Sequence, residues 1–159
     1  MENQRASLSR ARAIADYQFG GNVGSFLFPE DVNITHSRKT GRIRHIYLNN
    51  TIVATFRPTD GFFSLTLFGA KRLAGVLPPP KLRVTVQEEV EKFIAEGGDL
   101  FAKHVASADS ELRAGEEAIV VSSNGSVLAV GKALLTGEEM LEFKRGIAVK
   151  VRKGVDENQ

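Results

Sequence analysis

Hydrophobic and polar positions change period several times along the chain. From Ser7 to Gln18, apolar residues recur at Leu8, Ala11, Ile14 and Ala15, the spacing of a helix with one buried face. Gly20-Gly21 follows and suits a left-handed C-cap. Arg12 and Asp16 stand four apart, as an ion pair across one helical turn requires. Phe26-Leu27-Phe28 is stopped by Pro29. The period then shortens toward two, predicting strands over Ile43–Leu48, Ile52–Phe56 and Phe62–Phe68. Asn49-Asn50 suits a tight hairpin, because asparagine tolerates positive φ, and Pro58-Thr59-Asp60-Gly61 is a strong turn signal. Gly69–Ala74 predicts a short helix carrying Lys71 and Arg72. The first half therefore reads as a helix followed by an antiparallel meander.

Val76-Leu77-Pro78-Pro79-Pro80-Lys81 is the clearest punctuation. Three prolines in a row predict an extended, polyproline-like linker between two small units, 1–77 and 78–153, with 154–159 as a flexible tail. The second unit opens with a strand, Leu82–Val86. Thr85 and Glu88 have capping-box spacing for a helix reaching Glu96, with Val90, Phe93 and Ile94 facing inward, and Gly97-Gly98 ends it. A strand is expected over Phe101–Val105, and a hairpin joins Ala118–Ser122 to Ser126–Ala133 around Asn124-Gly125. Thr136 and Glu139 form a second capping-box pair before a helix, Gly137–Phe143. In the closing strand, Ile147–Arg152, the alternation puts Ile147, Val149 and Val151 inside and Lys150 and Arg152 outside. The class is α+β, with a small, partly closed barrel in the second unit.

Composition narrows the function. Hydrophobic residues at 42% and charged residues at 25% are globular values. With no cysteine, a disulfide framework, a thiolate zinc site and a cysteine nucleophile are excluded. No apolar run approaches the ~18 residues of a membrane span, and the basic N-terminus lacks the apolar stretch of a signal peptide; the expectation is a cytoplasmic protein. Charge is uneven. Residues 1–72 hold ten Lys/Arg against five Asp/Glu, whereas residues 73–159 hold eleven against fourteen. A basic half attracts polyanions through counterion release, although an ordinary solvated surface has the same composition.

The ordered set Leu82–Val86, Gly97-Gly98-Asp99-Leu100-Phe101-Ala102-Lys103-His104-Val105, Arg113–Glu117, Ala129–Ala133, Gly137–Met140 and Lys144–Arg152 resembles the PUA domain of pseudouridine synthases and archaeosine transglycosylases. Ala15–Gly20, Ser37–Arg44 and Arg57–Phe63 resemble the domain just before it in archaeal tRNA-guanine transglycosylase, and the C-terminal arm of archaeosine synthase is similar. Together the resemblance covers roughly residues 9–153. It implies a small pre-PUA domain followed by a PUA-type pseudo-barrel, an archaeal source, and a role in gripping tRNA. In those enzymes the chemistry resides in a larger, zinc-containing catalytic barrel, for which this chain has no room. RNA binding without catalysis or cofactor is the expectation, as an accessory factor in RNA modification. The alternative is a docking arm for a separate catalytic chain, which an exposed apolar patch around Phe26, Phe28, Phe62 and Phe63 would favour.

Candidate contacts follow. Gly97 and Gly98 are either a helix C-cap or a place where an RNA phosphate or ribose approaches the backbone closely, as the resemblance implies. Asp99 is a ribose or base acceptor, or a turn cap. Phe101 is core or a stacking platform, and Lys103 is a phosphate contact on the following strand. Lys144-Arg145-Gly146 reads as a charged helix terminus; the resemblance places it beside the glycine junction in one groove, extended by Lys150 and Arg152. Arg38, Lys39, Arg42 and Arg44 form the densest basic run, with Arg42, Arg44 and Ile46 on one strand face, able to track a phosphate backbone. His36, His45 and His104 match no compact metal motif. Asp60 reads as a turn residue, and no nucleophile, base and orienting group come together.

Overall fold

In the computed structural model, which describes residues 3–157, the helical pattern near the N-terminus forms α1, Gln4–Phe19. Asn3 caps it through the Arg5 N–H, and Leu8, Ala11, Ala15 and Phe19 form its buried stripe. Arg12 and Asp16 do not pair with each other. Arg12 Nε donates to the Phe28 carbonyl at 2.8 Å and its guanidinium meets Glu30 at 3.3 Å, while Asp16 accepts from the Gly24 N–H at 2.7 Å. The bonds to the Phe28 carbonyl and the Gly24 N–H hold a short second helix, α2 (Gly24–Leu27), against the first.

A four-stranded antiparallel sheet follows in chain order: β1 (Asn33–His36), β2 (Ile43–Leu48), β3 (Thr51–Arg57) and β4 (Phe62–Leu65). The meander is thus preceded by a strand that the pattern did not predict. Asn49 and Asn50 turn the β2–β3 hairpin with φ of 52° and 66°. Ile34, Ile46, Ala54 and Leu65 pair across all four strands and are buried, fixing which face of the sheet is inside. Ile46 therefore does not share an exposed face with Arg44. The strand predicted to run to Phe68 stops at Leu65, because Thr66 accepts from the Gly69 N–H and starts α3, Leu67–Ala74. The two ends of α1 dock the two edge strands: Gln4 bonds both the N–H and the C=O of Ile34 (3.2 and 2.9 Å), and Gln18 does the same for Phe63 (2.8 Å each). Phe28 and Phe63 are fully buried and meet edge to face at 5.2 Å. The apolar patch proposed for docking therefore does not form. Phe26 lies under the Arg72 guanidinium, 4.7 Å from its ring centroid, and Phe62 stacks with Tyr17.

The second compact unit begins at Pro78. The proline run turns instead of extending, since Lys81 N–H donates to the Pro78 carbonyl and Arg83 N–H to that of Pro80. Thr85 lies inside β5 (Arg83–Val86), paired with Ser107 and Val121, so it caps nothing. Gln87 occupies the N-cap of a 3-10 turn, Glu88–Val90, that leads into the one-turn helix α4, Glu91–Ala95. Ile94 is buried there but Phe93 is 53% exposed, because neighbouring residues on a helix point about 100° apart. The strand predicted over Phe101–Val105 is split into β6 (Leu100–Phe101), a 3-10 turn (Ala102–His104) and β7 (Val105–Ala108). β8 (Glu117–Val121), β9 (Val127–Ala133), α5 (Gly137–Glu142) and β10 (Ile147–Gly154) complete the unit.

The sheet order is β6-β10-β9-β8-β5-β7, with only β5 and β8 parallel. Its two edge strands, β6 and β7, are consecutive in the chain. The Ala102–His104 turn therefore draws the edges together and curls the sheet into a partly closed pseudo-barrel. Thr136 and Glu139 make the full capping box, with both bonds near 3 Å. The segment expected to be a tail is tied back through residue 157: Val155 N–H donates to the Leu128 carbonyl and Asp156 N–H to that of Ala95, and Glu157 accepts from the Gly154 N–H. Residues 158–159 lie outside the described residues.

Candidate nucleic-acid interface

In the C-terminal unit, β10 pairs antiparallel with β6, matching Ile147 to Phe101 and Val149 to Leu100. The Ala102 N–H donates to the Gly146 carbonyl at 2.9 Å. The glycine junction and the closing segment, about fifty residues apart in sequence, thus become neighbours through backbone pairing. Lys103, Lys144, Arg145 and Gly146 are exposed, and Phe101 is 40% exposed. Among the described residues, no acidic group pairs with Lys103, Lys144 or Arg145. Lys103 lies in the 3-10 turn and not on a strand.

Other candidates in this unit are engaged within the chain. Gly97 has φ of 101° and, with Gly98, closes α4 through bonds to the Ile94 and Phe93 carbonyls. The space where a Cβ would stand is filled at Gly97 by the Glu157 carboxylate, 2.8 Å away, and at Gly98 by the Phe93 ring, 2.2 Å away. Asp99 accepts from the Val151 N–H at 2.9 Å and from Lys150 Nζ at 3.2 Å. Arg152 is paired with Glu117, whose side chain is fully buried. A carboxylate buried in its charged form is costly unless it is paired.

In the N-terminal unit, Arg38 and Lys39 sit on the β1–β2 turn, held by Ser37 through its backbone bonds to Arg42 and Gly41. Arg42 precedes β2 and lies over the buried Phe56 ring at 5.0 Å, which ties one of the four cations to packing. Arg38, Lys39 and Arg44 are exposed and, among the described residues, have no ion-pair partner. They line a hollow of about 460 Å³ with Thr35, His45 and Tyr47. His45 bonds Thr55 through Nδ1 at 3.2 Å and meets the Tyr47 ring edge to face. Burial, and secondarily the charge of Arg44, lowers its pKa below the ordinary value. Tyr47 was not singled out from the sequence, although its two-residue spacing from His45, opposite Ile46, carried the signal. Among the described residues, no group of acidic and histidine side chains is arranged to hold a metal ion, and no helix is long and apolar enough to cross a membrane.

Residues 9–80 match the patch-forming domain C2 of tRNA-guanine transglycosylase, and residues 82–155 match the PUA domain. The chain is 46% identical over 147 residues to a tRNA-guanine(15) transglycosylase of Methanothermobacter thermautotrophicus, covering 92% of this chain and 22% of that protein. It is 46% identical over 144 residues to the tRNA-guanine(15) transglycosylase of Thermococcus kodakarensis, covering 91% and 24%. It thus spans less than a quarter of the length of these curated relatives. A hypothetical protein of Pyrococcus horikoshii has a similar structure, with a TM-score of 0.75 at 23% identity, covering 98% of this chain and 94% of that one. A conserved PUA domain protein from Thermoplasma acidophilum gives a TM-score of 0.66 at 21% identity, covering 99% and 93%. At those identities the likeness is one of fold.

Proposed function

The chain is a PUA-domain protein with a C2-type domain before it, similar over nearly its whole length to the C-terminal part of archaeal tRNA-guanine(15) transglycosylases, and on that premise we propose that it binds structured RNA, tRNA first among the ligands to test, as a non-catalytic accessory to RNA modification in the cytoplasm. The observation that carries the reading is the β6–β10 pairing. It gathers Lys103, Lys144 and Arg145, which have no ion-pair partner among the described residues, beside the exposed Phe101. Such a surface suits a helical RNA end: cations meet phosphates, and the ring offers a platform to an unpaired base. Lys150 and Arg152 act mainly by holding the groove's wall, and Gly97, Gly98 and Asp99 by shaping it. Arg38, Lys39 and Arg44 add a second cationic surface, to which Arg42 contributes from its place over Phe56.

Catalysis is not part of the proposal. Ser7 Oγ and His36 Nε2 lie 2.7 Å apart, but Ser7 is fully buried and closed to a substrate. Titration against tRNA at several salt concentrations tests the binding claim. Affinity is expected to fall linearly on a log–log salt plot; no binding at low salt, or salt-independent binding, would overturn it. Mass analysis of tRNA nucleosides after incubation would expose any activity. A second reading, a docking arm for a separate transglycosylase-like chain, is favoured by the small share of the relatives' length that is matched. Recovery of such a chain with the tagged protein from an RNase-treated lysate would support it.

A further inference from the structure

The exposed face of the N-terminal sheet carries a feature that the cationic residues alone do not explain. Asn33 and Tyr47 are directly opposed on β1 and β2, and His45 is opposed to Thr55, on the side away from the buried Ile34–Ile46–Ala54–Leu65 row. Thr35 shares that side and is pinned by exchanging bonds with the His45 backbone. Tyr47 and Thr35 form the common wall of two adjoining hollows. One is the basic hollow with Arg38, Lys39 and Arg44. The other, of about 580 Å³, is lined by Asn33, Asn49, Asn50 and Asp31. Cations thus lie to one side of a partly buried aromatic ring, and the amides with Asp31 lie to the other.

That arrangement has the polarity of a nucleotide: a phosphate at one end, a π-face in the middle, and donors and acceptors on the base edge. We propose that this sheet face binds one unpaired nucleotide of an RNA strand, its base against Tyr47, its phosphate among Arg38, Lys39 and Arg44, and its base edge toward Asn33 and the Asn49-Asn50 turn. This rests on the RNA-binding reading above but locates a site outside the PUA barrel. The amides supply donors and acceptors together, which suits an unstacked base edge, whereas phosphate oxygens would use the donors alone. His45 sets the ring's orientation through its edge-to-face contact and its bond to Thr55.

The chain has no tryptophan and two tyrosines, Tyr17 and Tyr47, so in Tyr17→Phe the tyrosine fluorescence reports Tyr47 alone. Tyr17 is 81% exposed, and its replacement leaves the site untouched. Titrating that full-length variant with a six-nucleotide oligoadenylate is expected to quench the emission saturably. Adding Tyr47→Ala is expected to weaken oligoadenylate binding, measured by anisotropy of a labelled strand, by about 5- to 150-fold, the range for loss of one base stack. Tyr47→Phe is expected to retain binding, which separates stacking from a folding defect. If the oligomer binds while Tyr47 emission stays constant and Tyr47→Ala binds as well as its parent, the site is overturned and the RNA-binding reading stands. If neither the oligomer nor tRNA binds at low salt, the broader reading fails first.

Discussion

The two units carry similar numbers of basic residues and use them differently. In the C-terminal unit two of the cations nearest the groove are held inside the chain, Lys150 by Asp99 and Arg152 by the buried Glu117. Beside them Lys103, Lys144 and Arg145 are exposed and, among the described residues, have no ion-pair partner. In the N-terminal unit Arg38, Lys39 and Arg44 have no ion-pair partner among the described residues, and the local excess of positive charge is larger. A basic residue near a groove is therefore not yet a ligand contact. An arginine that balances a buried carboxylate contributes to folding, and one facing only water is available to a phosphate.

Substitutions sharpen that contrast. The largest effect is expected from Arg152→Ala, which removes the guanidinium that faces the buried Glu117 carboxylate. Urea unfolding should show a loss of about 3 kcal/mol, and replacing Arg152 and Glu117 together by Met and Leu should recover most of it. A loss of tRNA affinity with unchanged stability would instead make Arg152 a direct contact. Next, neutralising Arg38, Lys39 and Arg44 together should leave stability within about 0.5 kcal/mol and lower the slope of log K against log salt by about 3, one for each phosphate contact. A slope equal to the parent's would show that these cations face no RNA. Within the C-terminal unit, Lys150→Ala removes an exposed pair worth roughly 0–1 kcal/mol, whereas Asp99→Ala also orphans the Val151 N–H and should cost about 1–3 kcal/mol. Equal costs would mean that the carboxylate's backbone bond contributes nothing beyond the ion pair.

Much of the fold was legible because its signals are local. The Asn49-Asn50 turn, the Thr136–Glu139 cap and the alternation of the closing strand each depend on residues within a few positions. Asn33–His36 escaped because a four-residue strand with one buried apolar side chain has no period to detect. The Phe101–Val105 strand was misread because the break at Ala102–His104 is set by barrel closure, a long-range demand. At the site, the neighbourhood of the two C-terminal segments came from the resemblance, not from spacing. Which of their charges are spoken for stayed hidden, because Asp99 and Lys150 are 51 residues apart and Glu117 and Arg152 are 35 apart. Tyr47 left a trace in its two-residue spacing from His45, but its strand partner, Asn33, lies on β1, which the pattern did not predict.

His45 offers the finest test of the N-terminal surface. Its pKa lies below the ordinary 6.5, first because the ring is partly buried and then because Arg44 repels the imidazolium. The unfolded chain therefore binds the proton more readily than the folded one. The sign follows: the full stability is present above pH 6.5 and is lost as pH falls through the lower folded-state pKa. The effect is small, because much of the ring remains open to solvent screening. Arg44→Gln should raise the His45 pKa, followed by its ring-proton resonance in an NMR titration, and narrow the pH range over which stability declines. A bound phosphate should act in the same direction, since a negative charge beside the ring favours the imidazolium. If the oligoadenylate leaves the His45 titration where it was while Arg44→Gln moves it, the cations of this face act on the histidine without holding a phosphate beside it, and the difference between the two units is one of charge alone.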